Sequence, residues 1–155
     1  QRQMCIRDRR TGAPLKAYTR VSSDPIEVHN NIQNPDIVII MDDTLLASTD
    51  VMEGMPEDGI LLFNTTMTAA EARAAVGAPE SMRVAVVDAS GIALATIKKD
   101  MPNTPIVGAL AKITGLFPVE KVKERLVITF GKKFSQEMID ANLASVERAY
   151  QEVQE

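Results

Sequence analysis

Three short segments that are apolar at almost every position constrain most strongly how this chain can fold. They are residues 36–41 (DIVIIM), 59–64 (GILLFN) and 83–88 (RVAVVD). A strand with apolar residues at successive positions has both of its faces covered, as in a parallel sheet between two layers of helices. The segments begin about two dozen residues apart, which leaves room for crossover helices. The sequence therefore predicts an α/β fold, a three-layer α/β/α arrangement with a mostly parallel central sheet.

Residues 15–22 (LKAYTRVS) differ from these segments because their polarity alternates. Alternation of this kind predicts a strand at an edge or interface, with one face drier than the other. The predicted drier face carries Leu15, Ala17, Thr19 and Val21, and the predicted wetter face carries Lys16, Tyr18, Arg20 and Ser22.

Helical patterns fill the remainder of the chain and dominate after the last buried strand. Helices are predicted at residues 69–76, 90–99, 105–114 and 118–130, and a last one begins after Ser135 as its cap. Proline is expected in the first turn of the fourth helix. We therefore expect C-terminal helices that belong to the same domain as the sheet.

Residues 1–9 (QRQMCIRDR) match no pattern in the remainder of the chain and are similar to a translated sequencing adapter. We therefore expect them to be non-native and residues 10–155 to form a single domain. Cys5, the one cysteine, lies in this segment. The remainder then has no thiolate for a disulfide, a zinc site or an iron–sulfur cluster.

The charge balance and the lengths of the apolar runs exclude several classes of partner. The chain has 17 Lys and Arg against 21 Asp and Glu. It has no broad basic field that would neutralise phosphates, so nucleic acid is not an expected partner. No apolar run approaches the roughly 20 residues that cross a bilayer. Without an apolar leader at the start, the expected location is the cytoplasm.

Polar side chains follow each of the three buried strands. Asp42, Asp43 and Thr44 follow the first, Asn64 and Thr65 end the second, and Asp88 and Ser90 follow the third. Ligands of open α/β sheets bind at the carboxyl ends of the strands, so this edge is the expected place for a ligand or partner. The same residue types are the preferred helix caps, and a capping role alone remains open.

The sequence contains no recognisable catalytic set. His29 is the only histidine, so no metal site is expected in this chain, and the glycines form no phosphate-binding loop. A phosphate-receiving signalling domain would use Asp42 and Asp43 for magnesium and Asp88 as acceptor, but no later strand carries the required lysine. A free-standing domain that binds a coenzyme or another small molecule stays open as an alternative.

Several stretches together resemble the gamma subunit, or gamma domain, of the 2-oxoacid:ferredoxin oxidoreductases. They are residues 10–22 (RTGAPLKAYTRVS), 35–46 (PDIVIIMDDTLL), 58–65 (DGILLFNT), 87–93 (VDASGIA) and 101–117 (MPNTPIVGALAKITGLF). The last stretch is the most specific. The gamma region of this family normally begins with a strand and a glycine-rich turn, and the resemblance implies that both are missing here.

The resemblance implies a subunit that does no catalysis alone. The family oxidatively decarboxylates pyruvate or a related 2-oxoacid with coenzyme A and reduces ferredoxin. Thiamine diphosphate, magnesium and [4Fe-4S] clusters are expected on the alpha, beta and delta subunits, with no cofactor bound by this chain alone.

The resemblance also directs attention to six residues, none of them catalytic and none a metal ligand. Asn64, Thr65, Asn103 and Thr104 are expected to face the coenzyme A channel or a partner subunit. Capping of the following helix is the alternative for Asn103 and Thr104. Arg10 and Arg20 are expected to contact an anionic group or a partner carboxylate through their planar guanidinium groups.

Overall fold

The structure, a computed structural model, describes residues 15–27, 30–131 and 133–155, together with the backbone of residues 2–7. Its strands are β1 (Arg2–Arg7), β2 (Lys16–Val21), β3 (Ile37–Ile40), β4 (Ile60–Asn64) and β5 (Arg83–Val87). Its α-helices are α1 (Ala69–Val76), α2 (Ala89–Thr96), α3 (Pro105–Thr114), α4 (Val119–Phe130) and α5 (Gln136–Glu152). A 3-10 helix spans Asp43–Ala47.

The central sheet has the order β3-β4-β5, and both of its strand pairs are parallel. The central strand β4 is the most buried, because Leu61, Leu62 and Phe63 are at most 1% exposed. Successive apolar residues are required there, since the side chains alternate between two covered faces. The predicted parallel sheet is confirmed.

Helices cover both faces of the sheet. On one face, residues of α2, α3 and α5 join the sheet in a core formed by Leu62, Ala85, Val87, Ala89, Ile92, Ile106, Ala109, Ile113 and Ala149. On the other face, α1 contributes Ala72 to a core that also contains Ile40, Leu61, Phe63, Ala78, Met82, Val84 and Val86. The predicted three-layer α/β/α fold with C-terminal helices is therefore confirmed.

In the described part of the chain, no helix is long and apolar enough to cross a membrane.

The tail after α5 closes one edge of the sheet. Val86 N–H donates to the Gln154 carbonyl (2.8 Å), and Gln154 N–H donates to the Val86 carbonyl (3.0 Å), as in an antiparallel bridge. Arg83 and Glu155 form an ion pair beside it. The outer edge of β5 is thus protected, whereas β3 pairs with β4 alone among the described strands.

Strand β2 forms where predicted, but the prediction of its drier and wetter faces is wrong. It pairs antiparallel with β1 in a separate two-stranded sheet. Tyr18 and Arg20 are half-buried, whereas Val21 is 76% exposed. Because β2 does not pack on the core of the central sheet, the apolar side chains of Ala17 and Val21 remain exposed to solvent. The non-native origin of residues 1–9 stays a prediction.

The end of α2, the start of α4 and the connection between β3 and β4 differ from the sequence-based expectation. Helix α2 ends at Thr96, earlier than predicted, and Lys98 just beyond it has a left-handed φ of 62°. Helix α4 begins at Val119, so Pro118 precedes the first turn with an extended backbone. Between β3 and β4 the described chain contains only the 3-10 helix in place of a crossover α-helix. The Ser135 cap is confirmed, because its hydroxyl accepts from Met138 N–H.

Gly108 permits the close approach of α3 and α5. A Cβ atom at Gly108 would lie 2.2 Å from the Val146 carbonyl oxygen, which belongs to the backbone of α5. Val146 is itself completely buried. The apolar helix α3 therefore needs glycine at its centre, even though glycine is a poor helix former.

We expect Gly108→Ala to lower the free energy of unfolding by about 2 kcal/mol, since α3 and α5 must move apart. Gly77→Ala is the matched control. A Cβ at Gly77 meets nothing within 4 Å, and that position is strained only by its φ of 67°. Its expected cost is about 1 kcal/mol. Urea unfolding of both variants measures the difference, and a Gly108 variant as stable as the parent would contradict the close helix contact.

Candidate functional site at the carboxyl edge of the sheet

The carboxyl ends of the three parallel strands meet at one edge, which we call the carboxyl edge. It is formed by the polar residues Asp42, Asp43, Asn64, Thr65, Asp88 and Ser90. The two parallel ladders bring these residues together as the sequence predicts. The hydrogen bonds among them determine what the edge can do.

The Asn64 side chain ties all three strand ends together. Its Nδ2 donates to the Met41 carbonyl at the end of β3 (2.9 Å) and to Ser90 Oγ (3.1 Å). Its Oδ1 accepts from the Ser90 N–H in the first turn of α2 (3.1 Å). Asn64 is only 9% exposed. Both donor hydrogens of the amide are therefore used inside the chain.

The polar groups of Thr65 also form hydrogen bonds with neighbouring residues of the chain. Its hydroxyl donates to Asp43 Oδ2 (2.9 Å) and accepts from Met67 N–H (3.3 Å). Its own N–H donates to the Val87 carbonyl (3.1 Å). Thr65 thus links the 3-10 helix after β3 to the end of β5.

Two aspartates of the edge act as caps. Asp42 Oδ1 accepts from the Thr44 hydroxyl (2.6 Å) and the Thr44 N–H (3.0 Å), and these hydrogen bonds hold the pKa of the Asp42 carboxyl below its ordinary value. Asp88 Oδ1 accepts from Gly91 N–H (2.7 Å) at the start of α2. Both Asp42 and Asp88 therefore cap the helices that follow them. Their carboxylates also give the carboxyl edge a negative charge.

One cap near this edge was missed in the sequence. Thr68 and Glu71 form a reciprocal capping box at the start of α1, and hydrogen bonds from the Thr68 N–H and hydroxyl lower the pKa of Glu71. The Thr-x-x-Glu spacing before an alanine-rich run is the sequence signal that would have revealed it. Within the described residues, no group of His, Cys, Asp or Glu is arranged to hold a metal ion.

Asn103 and Thr104 lie in the turn before α3 and make no hydrogen bond to the carboxyl-edge residues. Thr104 occupies the cap position of α3, but its side chain forms no capping hydrogen bond. It is nevertheless only 8% exposed, whereas Asn103 is exposed. The capping alternative is therefore not realised by the Thr104 side chain.

Arg20 lies at the opposite end of the sheet from Asn64. It lines an open cleft of about 820 Å³ together with Asp36, Asp58 and Gly59, which precede β3 and β4. Strands of this length place the two ends of the sheet about 16 Å apart. Of the six residues singled out in the sequence, the five that the structure describes thus do not form one site. Arg10 and His29 lie outside the described residues.

The fold and the polar carboxyl edge define a three-layer α/β domain whose edge residues mainly hold strand ends and helix starts in place. Residues 7–152 of the sequence match the family described as pyruvate ferredoxin/flavodoxin oxidoreductase. The chain belongs to this family, and the resemblance found in the sequence is confirmed.

Individual relatives agree with this assignment. The chain is 46% identical over 144 residues to the pyruvate synthase subunit PorC of Thermotoga maritima, covering 93% of this chain and 73% of the relative. It is 34% identical to the pyruvate/ketoisovalerate oxidoreductases common subunit gamma of Pyrococcus furiosus, covering 94% of this chain and 76% of the relative. The crystal structure of the pyruvate oxidoreductase subunit PorC from Thermotoga maritima superposes with a TM-score of 0.84 and 40% identity, covering 99% of this chain and 80% of that one.

We expect Asn64→Ala to lower the free energy of unfolding by about 1–3 kcal/mol, because it removes the partners of the Met41 carbonyl and the Ser90 N–H in a largely buried place. Asn103→Ala serves as the control, since this exposed side chain makes no hydrogen bond and its loss should cost less than about 0.5 kcal/mol. Denaturant titration compares the two variants. Equal stability of both would show that Asn64 does not clamp the strand ends.

Proposed function

We propose that this chain acts as the gamma subunit of a pyruvate:ferredoxin oxidoreductase complex. The complex would convert pyruvate and coenzyme A to acetyl-CoA and carbon dioxide while reducing ferredoxin, and this chain would be inactive alone. The similarity to proteins named PorC and common subunit gamma, extending over almost the whole described fold, carries the proposal.

The proposed partners are the alpha, beta and delta subunits of the same complex, with ferredoxin as the electron acceptor in the cytoplasm. Thiamine diphosphate, magnesium and the [4Fe-4S] clusters would reside on those other subunits. They supply the carbon–carbon bond cleavage and the electron transfer, and this chain would supply a scaffold and binding surfaces.

Within this chain, the start of α3 is the better candidate for contact with coenzyme A. The phosphates of coenzyme A are anions, and the N-terminal end of a helix carries a partial positive charge that favours anions. The Thr104 hydroxyl makes no hydrogen bond in the described structure, and Asn103 presents a free amide. Both side chains can donate to a phosphate or amide oxygen. When bound, coenzyme A would supply the thiol that accepts the acyl group.

The carboxyl edge fits an anionic ligand less well. Asp42 and Asp88 place carboxylates there, and their charge disfavours phosphates. The polar atoms of Asn64 and Thr65 are engaged with their neighbours. We therefore propose that these two residues shape a surface that contacts a partner subunit. Arg20, and Arg10 with it, are proposed to contact anionic groups of a partner.

Co-purification tests the proposed assembly. When the chain is expressed together with the proposed alpha, beta and delta subunits and purified through a tag, we expect larger subunits carrying thiamine diphosphate and iron to accompany it. The purified complex should reduce ferredoxin with pyruvate and coenzyme A, and the chain alone should not. A lone monomer that binds coenzyme A tightly would favour the free-standing coenzyme-binding domain instead.

Substitution at the start of α3 tests the proposed coenzyme A contact in the assembled complex. We expect Thr104→Val and Asn103→Ala each to raise the KM for coenzyme A about fivefold to tenfold, with little change in the KM for pyruvate, because each loses one hydrogen bond to the ligand. Thr129→Val, on the exposed side of α4, is the matched control. An unchanged KM for coenzyme A in both variants, with assembly intact, would refute the contact.

A further inference from the structure

Helix α4 is attached to the fold through few buried side chains. It packs on α5 and α3, and none of its residues belongs to either core cluster on the sheet. Among its twelve residues, all of them described, only Val119 is buried, whereas six residues of α3 and five of α5 are buried. An element that buries little apolar surface separates from the core at a low free-energy cost. Of these three helices, α4 is therefore the one that opens most easily.

Both ends of α4 lead into short connections at which the helix can pivot. Gly115 ends α3 with a left-handed φ of 62°, and the extended Pro118 precedes α4. The chain turns again at Gly131, where the rings of Phe130 and Phe134 pack edge to face with 5.1 Å between their centroids. This aromatic pair joins α4 to the turn that follows it, so it can remain formed when α4 moves away from α5.

An ion pair joins α4 to α5. Lys123 Nζ donates to Glu147 Oε2, and Gln151 Nε2 donates to Glu147 Oε1 (2.8 Å). The hydrogen bond from Lys123, and after it that from Gln151, holds the pKa of Glu147 below its ordinary value. The Lys123 and Glu147 side chains are 31% and 39% exposed, so water screens their attraction only in part.

A second ion pair of α4 lies within the helix and joins it to nothing else. Lys121 Nζ donates to Glu124 Oε2 (3.0 Å), and both side chains are well exposed. A pair of this kind stabilises a helix slightly but does not oppose its separation from a neighbouring helix. The two pairs therefore allow a bond between helices to be compared with a bond inside one helix.

We propose that α4 opens as a unit while the sheet and its two core clusters stay folded, and that the Lys123–Glu147 ion pair controls this opening. The helix pivots on the connections at Gly115 and Gly131. Opening brings Val119 and the sides of α3 and α5 that α4 covers into contact with solvent. The proposal does not depend on the proposed enzymatic function, because it follows from contacts within this chain.

Amide hydrogen exchange of the full chain in low concentrations of urea tests the opening. A separated helix of this length is marginal in water, so the amides of residues 123–130 should exchange at least about tenfold faster than those of residues 61–63 in β4. Urea should accelerate exchange in β4 more steeply, because opening of α4 exposes less surface than global unfolding does. Equal rates and equal urea dependence in both elements would overturn the proposal.

The variant Glu147→Gln tests the ion pair, since it removes the charge and keeps the shape of the side chain. Exchange in α4 should accelerate about threefold to tenfold, because the pair is only partly exposed. Glu124→Gln is the matched control, and it should change exchange in α4 by less than about twofold. If both variants had the same effect, the pair between the helices would have no special role.

Charge reversal separates the attraction between the two side chains from their packing. Lys123→Glu places two carboxylates together and should accelerate exchange in α4 more than Glu147→Gln does. Adding Glu147→Lys restores an ion pair with the charges exchanged, and exchange should return to within about threefold of the parent rate. Recovery in the double variant supports the proposal, and a double variant that exchanges as fast as Lys123→Glu alone would contradict it.

Discussion

The burial of β4 on both faces is the constraint on which the remainder of this structure depends. Leu61, Leu62 and Phe63 are almost fully inaccessible to solvent, and each contributes roughly 2 kcal/mol by leaving water. A strand buried in this way needs a partner strand on each side and a helical layer on each face. The order β3-β4-β5 and the two core clusters follow from this requirement. So does the position of the carboxyl edge, which lies where the three strands end.

The fold could be predicted from the sequence because its signals are local and repeated. The apolar runs that contain β3, β4 and β5 identified the sheet, and the cap at Ser135 marked the start of α5. Predictions that depended on tertiary surroundings were less successful. The two faces of β2 were reversed, since alternation gives two faces but does not say which of them the remainder of the molecule covers. A crossover helix was expected after β3, where the chain forms a 3-10 helix.

The location of the candidate site could be predicted from the sequence, but the hydrogen bonds between its residues could not. The edge was found because polar residues follow each buried strand. That Asn64 joins the Met41 carbonyl to Ser90 depends on distances between residues more than 20 positions apart, and no local pattern encodes them. Asn103 and Thr104 were grouped with Asn64 and Thr65 through a family resemblance. Their prediction as coenzyme A or interface contacts stays a prediction, with Thr104 now distinguished by a hydroxyl that caps nothing.

The close approach at Gly108 has a mechanical consequence for the turn that precedes α3. Helix α3 cannot slide or rotate on α5 without driving its backbone into the Val146 carbonyl, and the tail beyond α5 is fastened to β5 through Gln154. The turn that carries Asn103 and Thr104 thus leads directly into a helix that packs closely on α5. Helix α5 is in turn joined to the sheet through Gln154. We therefore expect this close packing to hold the turn before α3 in a fixed position relative to the sheet.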